Sequence, residues 1–248
     1  MNILSVKNLS KTYPNFVLDN ISFDLPQSKI MGLIGVNGAG KTTTLKSMLN
    51  LVNPDSGRIE MFGKTFIENE ESCKQEIGVV FGGTYFFNHK KLKSITAVTK
   101  RFYKNWDDKA YEKYMKAFSL TEDKRLKELS SGMKVKYMLA LALSHKARLL
   151  ILDEPTSGLD PVSRDDILGL LVNLVKTKDI SVLFSTHITS DLEKCADHIT
   201  YIKDGKLLIS ASKPEFIKSF DHLKEQKDKG DLTLEEIMIR TERSNYDI

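Results

Sequence analysis

The sequence predicts an α/β fold built on a largely parallel sheet with helices on both faces. Three observations support this prediction. Short apolar segments typical of buried strands recur along the 248 residues, and stretches with helical periodicity separate them. A glycine-rich loop joins one of these strands to the start of a helix. Strands that alternate with helices in this way pack as a parallel sheet covered on both sides.

The predicted elements follow in order along the chain. Apolar or alternating segments bounded by turns predict strands at residues 3–6, 21–25, 30–35, 58–62, 77–81, 149–152 and 181–184. A hairpin is predicted at residues 199–209, around the turn at Asp204 and Gly205. Between residues 90 and 143 the apolar positions recur at helical spacing, which predicts a helical insert within the sheet domain.

The composition is that of an ordinary soluble protein, with 41% hydrophobic and 28% charged residues. No apolar run approaches the roughly 20 residues that span a bilayer, and the first residues do not resemble a signal peptide. We therefore expect the chain to stay in the cytosol. Cys73 and Cys195 lie far apart without the spacing of a metal or redox site, which predicts two free thiols.

The net charge of +4 is unevenly distributed. Residues 88–148 hold 16 Lys and Arg against 6 Asp and Glu, whereas residues 221–248 hold 8 acidic against 5 basic residues. A basic region can bind nucleic acid, an anionic membrane surface or an acidic partner, and a solvated lysine-rich helical face explains it equally well. In the acidic tail, residues 234–240 predict a short amphipathic helix that docks against the body.

The most informative motif is the phosphate loop Gly35-Val36-Asn37-Gly38-Ala39-Gly40-Lys41-Thr42, between a predicted strand and a predicted helix. Its glycines let backbone N–H groups converge on an anion, and the helix start adds positive dipole. Lys41 can reach the β- and γ-phosphates of a nucleoside triphosphate, and Thr42 can hold Mg²⁺. The residues predicted to bind the nucleotide here are Asn37, Gly38, Ala39, Gly40, Lys41, Thr42 and Thr43.

Two carboxylates, Asp153 and Glu154, follow the predicted buried strand at residues 149–152. Carboxylates at the carboxyl end of a parallel strand face the ligand crevice. Asp153 is therefore predicted to hold Mg²⁺, and Glu154 to orient and polarise the water that attacks the γ-phosphate. An Asp-Glu pair alone is usually solvated surface, but the preceding apolar strand and the phosphate loop upstream favour the functional interpretation.

The segment Leu129-Ser130-Ser131-Gly132-Met133 opens the last helix of the predicted insert. Serine and glycine at this position are ordinary helix caps. In its place shortly before Asp153, however, the segment is similar to the Leu-Ser-Gly-Gly-Gln signature of the ATP-binding subunits of ABC transporters. That resemblance spans nearly the whole chain.

Further motifs carry the same resemblance. Residues 157–160, Ser-Gly-Leu-Asp, are similar to the family's D-loop. His187 matches the switch histidine that contacts the γ-phosphate, and Tyr13 matches the aromatic residue that stacks on adenine. Two departures stand out: Ser131 and Met133 replace a glycine and a glutamine of the signature, and Gly82 stands where the family carries a glutamine that touches Mg²⁺ or the attacking water.

The resemblance implies a RecA-like P-loop fold, a mostly parallel sheet with an antiparallel β portion and an inserted α-helical subdomain. The ATP-binding domain would cover residues 1–220, with a core at 1–89 and 144–220, a helical signature subdomain at 90–143 and an acidic tail at 221–248. It also implies a head-to-tail dimer in which Ser130 and the Gly132 N–H of one copy complete the γ-phosphate site of the other.

Residues 105–107, Asn-Trp-Asp, and the variant signature resemble the ATPases of bacterial ABC-2-type exporters, which move drugs, antimicrobial peptides or lipids through a separate permease. We therefore expect an ATP- and Mg²⁺-dependent ATPase subunit with Glu154, His187 and Lys41 as catalytic residues. It would sit at the cytoplasmic face of the membrane, on an integral membrane permease, paired with a second ATP-binding subunit in a homo- or heterodimer. No nucleic-acid partner is then expected.

Two other functions remain as alternatives. The basic insert also allows a soluble ABC-type ATPase that acts on nucleic acid or the ribosome, although such proteins often carry two fused ATPase domains or a long coiled-coil insertion. A P-loop kinase or GTPase ranks third, because kinases lack a signature-and-switch arrangement of this kind and the chain has no guanine-reading Asn-Lys-x-Asp segment.

Overall fold

A computed structural model describes residues 1–81, 87–225 and 228–243 of the chain. The strands are β1 (Asn2–Tyr13), β2 (Phe16–Pro26), β3 (Ile30–Ile34), β4 (Ser56–Met61), β5 (Lys64–Thr65), β6 (Ile77–Phe81), β7 (Leu149–Asp153), β8 (Ser181–Thr186), β9 (His198–Lys203) and β10 (Lys206–Ser212). The helices are α1 (Lys41–Met48), α2 (Glu70–Lys74), α3 (Leu92–Thr99), α4 (Asp108–Ala117), α5 (Ser131–Ser144), α6 (Pro161–Lys178), α7 (Thr189–Cys195), α8 (Lys213–Ser219) and α9 (Leu234–Glu242).

The strands of the described ranges form one sheet in the order β5-β4-β1-β2-β10-β9-β3-β8-β7-β6. The half formed by β9, β3, β8, β7 and β6 is parallel, and every residue of β3, β7 and β8 is buried. Strands buried on both faces are continuously apolar, as predicted from the sequence. The register pairs Ile34 with Thr186 and Asp153 with Ser185, so the carboxyl ends of three strands meet at one edge.

The antiparallel half differs from the prediction in strand length. Short strands are predicted at residues 3–6 and 21–25, but β1 and β2 run for 12 and 11 residues. Register shifts interrupt their pairing, and Asn8 and Asn20 lie in the left-handed region with φ of 52° and 55°. Such irregularities break the alternation of apolar and polar side chains that marks a strand, so the sequence underestimates both lengths.

Helices cover both faces of the sheet, as predicted. Side chains of β3 alternate between two hydrophobic clusters, with Ile30 and Ile34 in one and Met31 and Leu33 in the other. The first cluster also contains residues of α5 to α9, and the second contains residues of α1 and α2. The parallel strands are therefore the middle layer of three. The phosphate loop, which connects β3 to α1, lies at the edge formed by the carboxyl ends of these strands.

The predicted helical insert contains α3, α4 and most of α5. These helices share a third hydrophobic cluster, in which Thr96 is hydrogen-bonded to the buried hydroxyls of Tyr111 and Tyr137 at 2.9 Å each. The domain boundaries given above stay a prediction.

The acidic tail packs on the body through α9, which confirms the predicted short helix and its docking. Leu234 and Ile237 are fully buried, and Tyr201 donates a hydrogen bond of 2.7 Å to Glu242 Oε1. Cys73 and Cys195 are both buried and free, as expected. No helix within the described ranges is both long enough and apolar enough to cross a membrane.

His145, directly after α5, is a buried titratable group at the junction of the insert and the sheet. It is 2% exposed, its ring stacks on Tyr103 with centroids 3.7 Å apart, and its Nδ1 lies 3.2 Å from the Gln75 carbonyl oxygen. Burial lowers the pKa of His145 from an ordinary 6.5 to about 4.

This lowered pKa predicts an acid-dependent loss of stability. Below pH 6.5 His145 becomes protonated in the unfolded chain, whereas in the folded chain it stays neutral until the pH falls to about 4. The free energy of unfolding should therefore fall across this window, by roughly 3 kcal/mol at its acid end. His145→Phe should remove this part of the pH dependence in urea unfolding, whereas the exposed His89→Phe should keep it. An unchanged slope in His145→Phe would contradict the assignment.

Candidate active site

The phosphate loop runs from the end of β3 to the start of α1. Within it, the Ala39 N–H donates to the Val36 carbonyl oxygen at 3.1 Å. Lys41 Nζ donates to the Gly35 carbonyl oxygen at 2.8 Å and to that of Val36 at 3.3 Å, with a side chain only 7% exposed. The loop therefore curls around the lysine and holds its ammonium group beside the backbone of the motif.

The start of α1 is built to bind an anion. The Thr44 N–H donates to the Gly40 carbonyl oxygen, so the N–H groups of Lys41, Thr42 and Thr43 precede the first helical hydrogen bond. The first turn has neither an acidic residue nor a side-chain cap. Gly40 has a φ of 113°, and a Cβ there would lie 2.9 Å from Phe16 Cζ, so only glycine fits.

The turn between β9 and β10 is hydrogen-bonded to the phosphate loop. The Gly205 N–H donates to the Ala39 carbonyl oxygen at 3.0 Å, and the Asp19 N–H donates to the Gly205 carbonyl oxygen at 2.8 Å. A Cβ on Gly205 would lie 1.8 Å from the Val17 carbonyl oxygen. The hairpin of β9 and β10 thus connects the phosphate loop to the antiparallel half of the sheet through hydrogen bonds.

Asp153 is the best-connected carboxylate of the site. It is 8% exposed at the end of β7 and accepts hydrogen bonds from Thr42 Oγ1 at 2.9 and 3.1 Å and from Ser185 Oγ at 2.5 Å. A carboxylate beside a hydroxyl at a phosphate loop is the hard oxygen donor set that Mg²⁺ prefers. Thr42 and Asp153, the two residues predicted to hold the metal, are therefore in direct contact.

Glu154 follows in a left-handed conformation with a φ of 52°. Its N–H lies 3.1 Å from both the carbonyl oxygen and the Oγ of Ser185. Its Oε1 is 3.6 Å from Lys41 Nζ, and its Oε2 is 2.9 Å from His187 Nδ1. The histidine contact is thus at ion-pair distance, and the buried Oε2 has no hydrogen bond to any described residue.

His187 leaves β8 toward solvent, with 43% of its side chain exposed. The turn after β8 is fixed by the Ile188 N–H, which donates to Thr186 Oγ1 at 2.9 Å. The structure thus brings together Lys41, Glu154 and His187, the three residues predicted to be catalytic.

Tyr13 lies at the end of β1 and is 37% exposed. Its ring centroid is 6.5 Å from that of Phe16, the residue that packs against Gly40. Lys11 Nζ lies 5.9 Å from the Tyr13 ring centroid. The tyrosine therefore offers an aromatic face on the hairpin that adjoins the phosphate loop.

Ser130 and Gly132 lie at the start of α5. Ser130 caps the helix by accepting a hydrogen bond of 3.3 Å from the Met133 N–H, and Gly132 is buried against Ser163 of α6. Neither is hydrogen-bonded to the phosphate loop among the residues described. A cavity of roughly 450 Å³ lies between this helix start and Glu154, with Ser131 on its wall.

Asp160 of the predicted D-loop caps α6. It accepts hydrogen bonds from the N–H groups of Val162 at 3.1 Å and Ser163 at 2.9 Å. Hydrogen bonding from the side chain and the N–H of Ser163 lowers the pKa of Asp160. Gly82, the other departure noted in the sequence, lies outside the described residues.

Ser185 is a residue of the site that sequence reasoning missed. It is fully buried, and it contacts both Asp153 and the backbone of Glu154. Its place two residues before His187 is the only local signal, because the contact depends on the register between β7 and β8.

Comparison with known proteins agrees with this site. Residues 18–157 match the sequence model of the ABC transporter family. The bacitracin transport ATP-binding protein BcrA of Bacillus licheniformis is 33% identical over 90% of this chain and 72% of its own length. The ABC-type transporter ATP-binding protein EcsA of Bacillus subtilis is 36% identical over 89% of this chain and 91% of its own length.

Solved structures show the same fold. The structure of an ATP-binding subunit of an ABC transporter superimposes with a TM-score of 0.78 at 26% identity, over 88% of this chain and 93% of that one. The part of the chain that matches the family model, residues 18–157, contains the phosphate loop, Asp153 and Glu154. The chain therefore belongs to the ATP-binding subunits of ABC transporters, ATPases whose hydrolysis is coupled to transport.

Proposed function

We propose that this chain powers an exporter for a drug, peptide or lipid-like substrate. ATP binding would close a head-to-tail dimer, and hydrolysis would reopen it. One observation supports ATP hydrolysis by this chain. At the carboxyl ends of β3, β7 and β8, four side chains lie close together: Lys41, Asp153, Glu154 and His187. The exporter assignment draws support from BcrA, a protein named for bacitracin transport.

The nucleotide phosphates would lie on the phosphate loop, where the first N–H groups of α1 and the Lys41 ammonium face them. Tyr13 would stack on the adenine. Thr42 and Asp153 would hold Mg²⁺, which supplies positive charge to the β- and γ-phosphates. To bind there, Lys41 would exchange its bonds to the Gly35 and Val36 carbonyl oxygens for bonds to phosphate oxygens.

Glu154 would accept a proton from the attacking water, whose oxygen forms a bond to the γ-phosphorus as the bond to the β–γ bridging oxygen breaks. The products are ADP, inorganic phosphate and a proton. Lys41 and His187 flank the two carboxylate oxygens of Glu154 at 3.6 and 2.9 Å, so they hold its orientation. His187 would turn from this contact to the γ-phosphate, since its side chain is partly exposed.

The groups that face the γ-phosphate from the side opposite the phosphate loop would come from a second copy or a homologous subunit. The α5 start presents Ser130 at the surface, with no acidic residue in its first turn. A helix start of this kind binds anions. In a head-to-tail dimer, Ser130 and the Gly132 N–H would face the γ-phosphate held by the partner's loop.

The permease would dock beside the helical insert. ATP-binding subunits of this family act with membrane permeases. An apolar groove of roughly 370 Å³ separates β6 from the insert, and Phe81, Phe87, Tyr103 and Met138 line it. A groove with aromatic walls fits an amphipathic helix of a permease. This contact would place the chain at the cytoplasmic face of the membrane.

The role of Glu154 is tested by Glu154→Gln. Turnover should fall by a factor of about 100 or more, because the amide cannot accept the proton. ATP binding should persist, and size-exclusion chromatography with ATP should show more dimer than for the wild type. The exposed Glu112→Gln on α4 serves as the control. Hydrolysis at the normal rate in Glu154→Gln would refute the assigned role.

The head-to-tail arrangement is tested by mixing two inactive variants, Lys41→Ala and Ser130→Arg. A mixed dimer would combine both defects in one site and leave the other site intact. A 1:1 mixture should therefore recover about a quarter of wild-type ATPase activity, if the subunits pair at random. Sites completed within one chain would show no recovery, and that outcome would exclude the proposed dimer.

Ser185 provides a third test, with Ser181 as a matched control on the same strand. Both are fully buried, and Ser181 accepts a hydrogen bond of 2.8 Å from the Ser28 N–H, far from the carboxylates. Replacement of either serine by alanine should lower the free energy of unfolding by about 1–3 kcal/mol. Only Ser185→Ala should also lower kcat, by about tenfold. Equal kcat values in the two variants would contradict the role of Ser185.

A further inference from the structure

Helix α7 begins directly after the turn that carries His187. β8 ends at Thr186, and α7 starts at Thr189. The Asp191 N–H donates to the Ile188 carbonyl oxygen at 3.2 Å, a bond that belongs to the first turn of the helix beside the histidine. The position of this turn therefore sets where the backbone of His187 lies.

Asp191 is a buried charge that faces the neighbouring helix α6. Its side chain is 2% exposed, and its Oδ1 lies 3.9 Å from Arg164 Nε. The next residue, Leu192, faces the sheet instead, where its side chain occupies the space beside Gly32 of β3. A buried carboxylate is stable only where opposite charge or hydrogen bonds compensate for the lost water. Neither Asp191 Oδ2 nor Arg164 Nε is hydrogen-bonded to any described residue, so attraction between charges joins the two groups.

Arg164 belongs to the part of α6 that follows the predicted D-loop. Its N–H donates at 2.9 Å to the carbonyl oxygen of Asp160, the N-cap of the helix. The same helix start packs against the signature segment, since a Cβ on Gly132 would lie 3.3 Å from Ser163 Cβ. The ion pair therefore joins the first turn of α7, next to His187, to the first turn of α6, next to the D-loop.

A second ion pair connects the same two helices but is exposed to water. Lys194 Nζ lies 2.8 Å from Asp165 Oδ1, and 59% and 70% of the two side chains are exposed. An exposed pair contributes little to stability, whereas loss of one partner from a buried pair leaves a charge without compensation. The exposed pair is therefore an internal control for the buried one.

We propose that Arg164 and Asp191 are positioning residues for His187, an inference that rests on the role proposed for this histidine at the γ-phosphate. Attraction between the two charges holds the first turn of α7 against α6. That turn fixes the backbone from which the His187 side chain reaches Glu154 Oε2 at 2.9 Å. Without either charge the turn is free to shift, and the histidine loses the alignment that it needs for the γ-phosphate.

The test measures kcat, the KM for ATP and the melting temperature of the full chain with Asp191→Asn, which removes the charge and keeps the shape of the side chain. We expect kcat to fall about tenfold. The KM for ATP should stay near wild type, because Asp191 lies outside the phosphate loop. The melting temperature should also stay near wild type, because no buried carboxylate is left without a partner.

Three further variants separate charge from packing. Arg164→Met should lower kcat and also the melting temperature, because it leaves the buried carboxylate without its partner. Arg164→Lys should keep most of the activity, since it keeps the positive charge. Asp165→Asn, which breaks the exposed pair between the same helices, should leave both quantities unchanged.

A double variant shows whether Asp191 acts through the histidine. Adding Asp191→Asn to His187→Ala should cost little further activity, measured in single turnovers with enzyme in excess so that slow hydrolysis is resolved. Equal fold losses of kcat with and without His187 would overturn the positioning role. A normal kcat in Asp191→Asn, with His187→Ala impaired, would also overturn it. A normal kcat in His187→Ala would instead refute the role proposed for His187.

Discussion

The buried carboxylate of Asp153 is the group on which the geometry of the site depends. A charge that is 8% exposed must be matched by hydrogen bonds, and its donors come from two other elements. Thr42 donates from α1 and Ser185 from β8. Because β3, β7 and β8 are parallel and in register, their carboxyl ends meet at this point. One carboxylate therefore ties the phosphate loop to the strand that leads to His187.

The same serine stabilises an unusual backbone at Glu154. A non-glycine residue with a φ of 52° costs of the order of 1–3 kcal/mol, so it persists only where the surroundings hold it. Ser185 accepts from the Glu154 N–H through its carbonyl oxygen or its hydroxyl, each at 3.1 Å, and the hydroxyl in turn donates to Asp153. The left-handed turn aims the Glu154 side chain between Lys41 and His187. Ser185 thus stabilises the strained backbone of Glu154 and, through it, the orientation of the Glu154 side chain.

The parts of the site that could be predicted from sequence are those encoded over a few neighbouring residues. The phosphate loop and Asp153-Glu154 are local patterns, and the buried strands before them are continuously apolar. Ser185 could not be found this way, because it contacts the site through the register between β7 and β8. The sequence underestimates the lengths of β1 and β2 for a similar reason, since register shifts and the left-handed residues Asn8 and Asn20 interrupt the alternation of the two strands.

The two interpretations of Ser130, as a helix cap and as part of a nucleotide site, describe the same physics. A capping serine occupies the free N–H groups of a helix start, which are the groups that bind an anion. In the proposed dimer the starts of α1 and α5 would point at each other from opposite copies, each with partial positive charge and no acidic residue in its first turn. A γ-phosphate between them would turn mutual repulsion into attraction. When hydrolysis releases that phosphate, the repulsion returns, and Ser130 can resume its bond to the Met133 N–H. The dimer would therefore open for an electrostatic reason that is already present in each separate chain.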